Sequence, residues 1–166
     1  MNIETRVEPL DGKLPTLEWR WDMETDILSG GFRKAVGGTG LEGSVELSDE
    51  EGSVVVLDVA GGVLCGLDVV VWPEVDTVPG LTPPESPRSG RVVVPGRPAR
   101  QGVSAVEVDI TLSVSAAPDE RTVHLRIGSR REVEVVRVAD HLLVELDHKR
   151  RLAGFWLTEV PPFAPL

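Results

Sequence analysis

Cysteine occurs once in this 166-residue chain, tyrosine not at all and histidine three times, and aromatic residues make up 4 % of the whole. The lone Cys65 can neither close an intramolecular disulfide nor build a cysteine metal site, so nothing points to an oxidising compartment and a cytoplasmic location is expected. No charge-free apolar run approaches the roughly 20 residues that span a bilayer. The opening Met1-Asn2-Ile3-Glu4 has neither the basic region nor the apolar stretch of a secretory leader. Membrane insertion and export are therefore not expected. Also lacking is any window of a dozen residues with sustained helical periodicity, so long helices are not expected either.

Positive charge is scarce, and unevenly so. The net charge is −10; residues 1–75 hold 5 Lys/Arg against 15 Asp/Glu, while residues 76–166 hold 12 of each. An acidic surface repels phosphate backbones, whereas affinity for nucleic acid is built largely from cationic contacts to them. This excludes nucleic acid and anionic membranes as expected partners. It leaves a protein partner or a homo-oligomer; the acidic first half reads as a solvated surface that keeps the protein in solution or, in the sharper alternative, as a docking face for a basic partner.

What is abundant is valine, 27 residues, in short runs such as Val54-Val55-Val56 and Val69-Val70-Val71 bounded by glycine and proline. This is strand composition. Seven of the 13 prolines fall between Pro73 and Val103, where they oppose both a helix and interior strand pairing. The expected division is a first, acidic β unit over residues 1–75, a proline-rich linker or long loop over 76–103 in which Arg91–Val94 could add an edge strand, and a second β unit over 104–166 with a proline-rich tail. Sliding the chain on itself by 88 positions aligns residues 45–75 with 133–163 without a gap, with identities at Val45/Val133, Glu46/Glu134, Val56/Val144, Leu64/Leu152, Gly66/Gly154 and Pro73/Pro161. That offset indicates a duplicated unit. The expected fold is all-β: two repeated antiparallel β units, about 14–75 and 104–163, packed as a pseudo-twofold sandwich or barrel-like body. Gly61-Gly62 can take positive φ cheaply in the first hairpin turn and His148-Lys149-Arg150 less easily, so the second hairpin should use another turn type.

Two stretches resemble a bacterial family of small proteins known as domain of unknown function 2283. Trp21-Asp22-Met23-Glu24-Thr25-Asp26-Ile27-Leu28 looks like the family's opening Tyr-Asp-Pro-Glu-x-Asp-x-Leu segment. Val54 to Asp58, through Gly61 to Gly66-Leu67-Asp68-Val69, looks like its closing strand, Asp-x-x-Gly turn and glycine-led strand. The first copy has one extra residue between Asp58 and Gly66. The second keeps the family spacing from Asp147 to Gly154 with Arg150 in place of the turn glycine, and Pro118-Asp119-Glu120-Arg121-Thr122-Val123 is a degraded opening motif. The resemblance implies a small β-rich module without assigned catalysis.

The chemistry-bearing residues form no convergent catalytic set, so no enzyme, no cofactor and no metal site is expected. Gly38-Thr39-Gly40-Leu41-Glu42-Gly43 fits the glycine pattern of a dinucleotide loop, but it lacks the preceding strand and following helix that such a site needs and reads as a strand connection. The pairs Asp140-His141 and Asp147-His148 suggest carboxylate-backed imidazoles. They flank one expected strand, however, which at about 3.3 Å per residue holds the two backbones roughly 20 Å apart. The histidines, His124 included, therefore read as surface turn residues. Asp22, Glu24 and Asp26 beside Trp19 and Trp21 read as an acid-capped turn entering a strand, and Cys65 as an inert core thiol. Trp72 and Trp156, near the ends of the two closing strands, read as core caps. These seven, Trp19, Trp21, Asp22, Glu24, Asp26, Trp72 and Trp156, are the candidate contacts for a protein partner or, in the alternative, for a small molecule or carbohydrate held by tryptophans in a β cleft.

Overall fold

The computed structural model describes residues 3–10, 12–32, 43–85, 88–94 and 105–163, with the backbone alone for 105–109. The described residues hold strands and no helix. In chain order the strands are β1 (Arg6–Glu8), β2 (Arg20–Asp22), β3 (Ile27–Gly31), β4 (Gly43–Ser48), β5 (Val54–Ala60), β6 (Val63–Val71), β7 (Val75–Thr77), β8 (Arg88–Ser89), β9 (Arg91–Val93), β10 (Ala105–Asp109), β11 (Leu112–Ala116), β12 (Val123–Ile127), β13 (Val133–Ala139), β14 (Leu142–Asp147) and β15 (Leu152–Leu157). Among them no helix is long and apolar enough to cross a membrane.

Alternation explains most of these strands. In β5, Val55, Leu57 and Val59 are buried while Val54, Val56 and Asp58 are half-buried; in β11 and β12, Leu112, Val114, Ala116, Val123, Leu125 and Ile127 are the buried set. Successive side chains of a strand point to opposite faces, so each sequence presents one apolar face. These faces meet in one core to which both sheets contribute, from Leu28, Leu57 and Leu67 of the first to Leu125, Val144 and Phe155 of the second. Each such side chain contributes about 1.5–3 kcal/mol relative to exposure.

The repeat is present strand for strand. One sheet contains the order β2-β3-β6-β5-β4 and the other β11-β12-β15-β14-β13, every neighbouring pair antiparallel. The gapless 88-residue offset, however, holds only for β6 and β15. Leu57 pairs with Leu67 and Val144 with Phe155, so β5 maps onto β14 at 87; Val45 pairs with Leu57 and Val136 with Val144, so β4 maps onto β13 at 91. Leu28 faces Val69 and Val123 faces Leu157, which puts β3 on β12 at 95. Burial agrees, since Val136 and Val138 are the buried counterparts of Val45 and Leu47. The identities Val45/Val133, Glu46/Glu134 and Val56/Val144 thus join residues in non-equivalent places. Likewise Asp58 matches Glu145, not Asp147, because each lies opposite the equivalent glycine, Gly66 or Gly154. The turn equivalent to Asp22–Ile27 is Ala117–Thr122, which overlaps the Pro118–Val123 stretch.

The differing offsets arise in the turns. Gly61 and Gly62 have φ of 57° and 81°, the two positive values of a type I′ hairpin. In the second hairpin only Arg150, at 59°, is left-handed, and the loop is longer. Asp147 holds it together: Oδ1 accepts the amides of Lys149 (2.9 Å) and Arg151 (3.0 Å), and Oδ2 accepts Nε of Arg131 (3.1 Å) and of Arg151 (2.9 Å).

Among the described residues three strand pairs are parallel, which the expectation of purely antiparallel units did not include. β10 lies beside β4, β7 beside β11 and β8 beside β13. The proline-rich stretch therefore contributes strands to both sheets: β7 and β8 to the second, β9 to the first. Arg91–Val93 does form a strand, but it runs between β1 and the start of β6 rather than at the edge. Gly90 makes the crossing between β8 and β9. A methyl there would stand 2.9 Å from Val7 and 3.1 Å from the Glu8 carbonyl oxygen, so no larger residue fits without displacement.

Candidate functional site

The seven candidate contacts divide between core and surface. Trp19 is buried, 5 % exposed, over Gly30, and its indole N–H donates to the His141 carbonyl oxygen of the other sheet (3.2 Å). In the second unit the same two places hold Val114 and Leu125, so a large–small pair replaces a small–large one at nearly constant volume. Trp156 is also buried, with its N–H on Glu145 Oε2 (3.1 Å). Neither offers a face to a ligand.

Trp21 and Trp72 are different. Both are half-buried and stack at 5.6 Å and 28°, with Phe163 edge-on to Trp21 at 5.1 Å. Hydrogen bonds fix both rings: Trp21 Nε1–H donates to the Pro161 carbonyl (2.8 Å) and Trp72 Nε1–H to that of Asp26 (3.0 Å). They wall a groove of about 320 Å³ that β7 completes with Val75 and Thr77. Val75 and Phe163 are 41 % and 36 % exposed, so the groove presents apolar surface to solvent. Trp72, expected to cap the core, does pack against it while half-buried, and its remaining surface lines this groove.

Carboxylates rim the groove. The Asp22–Asp26 turn is capped as expected: Asp22 Oδ1 accepts the Glu24 amide (3.0 Å), the Asp22 carbonyl accepts the Asp26 amide (2.8 Å), and Asp26 takes a φ of 60°. Its three acidic side chains are exposed, as are Glu74 and Asp76 on either side of Val75, and Glu120, which also lines the groove. Of the turn's carboxylates Asp26 lines the groove, and all three are open to solvent.

Among the described residues no group of three or more His, Cys, Asp or Glu converges as metal ligands would. His141 and His148 lie at the two ends of β14, and Cys65 is buried. The glycine-rich 38–42 segment lies outside the described residues, as do residues 164–166 of the tail. His124 corrects the reading of all three histidines as turn residues. It sits within β12, stacked on Trp156 (ring centroids 4.3 Å, 27°), with Nε2 2.7 Å from Glu145 Oε1. Alternation along Val123–Ile127 places His124 on the outer face, but only the register brings Glu145 to it.

No known family model and no curated protein matches this chain.

Burial and hydrogen bonding shift one carboxyl clearly. Burial by itself would raise the Asp147 pKa. The Arg151 amide, the Arg131 guanidinium, the Lys149 amide and the Arg151 guanidinium outweigh it and hold the group at about 2.

Proposed function

We propose that the protein is a non-enzymatic binding module that takes an extended, basic segment of a protein partner along the Trp21–Trp72–Phe163 groove. One observation carries the reading: the half-buried indoles and exposed Phe163 lie beside an edge strand, β7, whose Val75 is also exposed, and Asp26 and Glu120 share the groove lining. Among the described residues β7 pairs only with β11, so its outer backbone groups can accept another strand. Side chains pointing to one face of that strand would meet the indoles, with Asp26 and Glu120 beside them in the groove lining, and lysines or arginines pointing to the other face would meet Asp76. A sugar fits less well, because each indole spends one face on its neighbour. The likeness to domain of unknown function 2283 enters on the same footing, as a proposal resting on the motif residues.

Tryptophan fluorescence titration tests this with hexapeptides alternating valine with lysine, or valine with glutamate, and with maltohexaose. The lysine peptide should bind, weaken as salt rises from 0.1 to 1 M because the Debye length falls from about 10 to 3 Å, and lose at least about tenfold in Trp72→Ala. Equal binding of the two peptides, or binding of the oligosaccharide alone, would sink the proposal.

A further inference from the structure

The two units place equivalent residues around equivalent clefts on the outer faces of their sheets, and the side chains there have opposite character. By register, Arg20, Ser29, Gly31, Asp58 and Asp68 of the first unit correspond to Ser115, His124, Arg126, Glu145 and Trp156 of the second. The charged lining of the first cleft is three carboxylates, Glu18, Asp58 and Asp68, against one cation, Arg20. In the second, of about 250 Å³, the charged lining is arginine-rich, with Val78 and Leu81 of the proline-rich stretch forming an apolar wall.

The charges of this second cleft are not all committed. Glu145 is buried, 7 % exposed, and both its oxygens are engaged, by His124 and by Trp156. Its carboxylate occupies room that exists only because residue 154 is glycine: a methyl there would sit 2.5 Å from the Leu125 carbonyl oxygen and closer still to Glu145 Oε1. Arg131 is consumed by Asp147 and by the carbonyls of Ile127, Ser129 and Leu152. Arg126 has only long contacts, 3.4 Å to the Gly128 carbonyl and 3.5 Å to Ser113 Oγ, and Arg130 and Arg126 form no ion pair among the described residues. Two guanidinium groups without a carboxylate thus flank a pocket in a protein of net charge −10.

We infer that this cleft is a binding site for a small organic anion with a short apolar body, its carboxylate or phosphate head on Arg126 and Arg130 and its tail against Val78 and Leu81. Arginine forks suit such heads. The volume lies below the range of drug-sized pockets, about 300–1,000 Å³, which limits the ligand to a few carbon atoms beyond its head. The floor is rigid because the His124–Glu145–Trp156 network fixes it, so the head would meet pre-placed groups.

Isothermal titration of the full chain with hexanoate, with neutral hexanamide and with inorganic phosphate tests the site. Hexanoate should bind, hexanamide and phosphate at least about tenfold more weakly, since a charge-assisted hydrogen bond and an apolar tail are each worth about that factor. Arg126→Gln with Arg130→Gln should lose at least about tenfold for hexanoate, and Leu81→Ser should lose affinity for hexanoate but not for phosphate, with circular dichroism confirming that both variants fold. Trp72→Ala should leave hexanoate binding unchanged, so failure here is separable from failure of the peptide groove. Absence of hexanoate binding, equal binding of hexanamide, phosphate binding as tightly as hexanoate, or a folded double arginine variant with unchanged affinity would each overturn the assignment.

Discussion

Replacing Asp147 by asparagine should destabilise the protein at neutral pH and flatten its response to acid. The carboxylate side chain is fully buried and accepts four hydrogen bonds, two from backbone amides and two from arginines. These bonds lower its pKa from 3.8 to about 2. A depressed carboxylate stabilises the fold above the unfolded-state pKa and loses that contribution as pH falls through the folded value. At about 1.4 kcal/mol per unit, the ionised group contributes about 2 kcal/mol at pH 7, roughly half of which survives at pH 3 and little below pH 2. Asparagine keeps the turn's amide contacts to one oxygen but turns an N–H₂ toward Arg131 and Arg151, so the loss at pH 7 should reach at least about 2 kcal/mol. Urea unfolding of both proteins at pH 7 and pH 3, followed by tryptophan fluorescence, measures it. The gap between wild type and variant should narrow by about 1 kcal/mol at the lower pH. A gap of the same size at both pH values would refute the argument, because the stabilisation would then not depend on the ionised carboxylate.

Gly154→Ala should cost at least about 1–3 kcal/mol, since the new methyl meets the Leu125 carbonyl and displaces Glu145. Gly31→Ala should cost far less, because its Cβ finds 3.4 Å to the Cys65 carbonyl oxygen and its counterpart Arg126 carries a full side chain; thermal melts of the two variants compare them. Cys65, 4 % exposed, should react with a thiol reagent only at the rate at which the strand opens, and faster in urea; immediate stoichiometric labelling in buffer would contradict its burial. Leu57→Ala, at a fully buried core position, should lose about 2–5 kcal/mol in the same urea assay.

Local chemistry made much of the fold legible. Val55, Leu57 and Val59 alternate with less buried neighbours, and Gly61-Gly62 stand where two consecutive positive φ values are needed. The duplication was legible too, yet its alignment was not, because bulges and turns of different length shift the match from 87 to 95 residues along the chain. Identity at a fixed offset counts residues; pairing counts ladder positions. The candidate sites were half visible. Trp21 and Asp26 adjoin in sequence, but Trp72 and Phe163 reach them only through tertiary folding. His124 and Glu145 likewise carry no shared motif, since the contact depends on the strand order β12-β15-β14.

The crosswise strands have a consequence for how the chain could be divided. A cut in the proline-rich stretch after β9 would leave β7 and β8 on a fragment whose own sheet does not contain their partners, and β10 on a fragment whose sheet lacks β4. Each piece would carry strands cut to fit the other. Such pieces, produced apart, would have open ladders and exposed apolar faces; mixed, they would restore one another by strand donation, much as a severed garment closes along its own seam. The two like halves are thus interlocked, and pulling one away must unzip β10 from β4, β7 from β11 and β8 from β13 before the core can part.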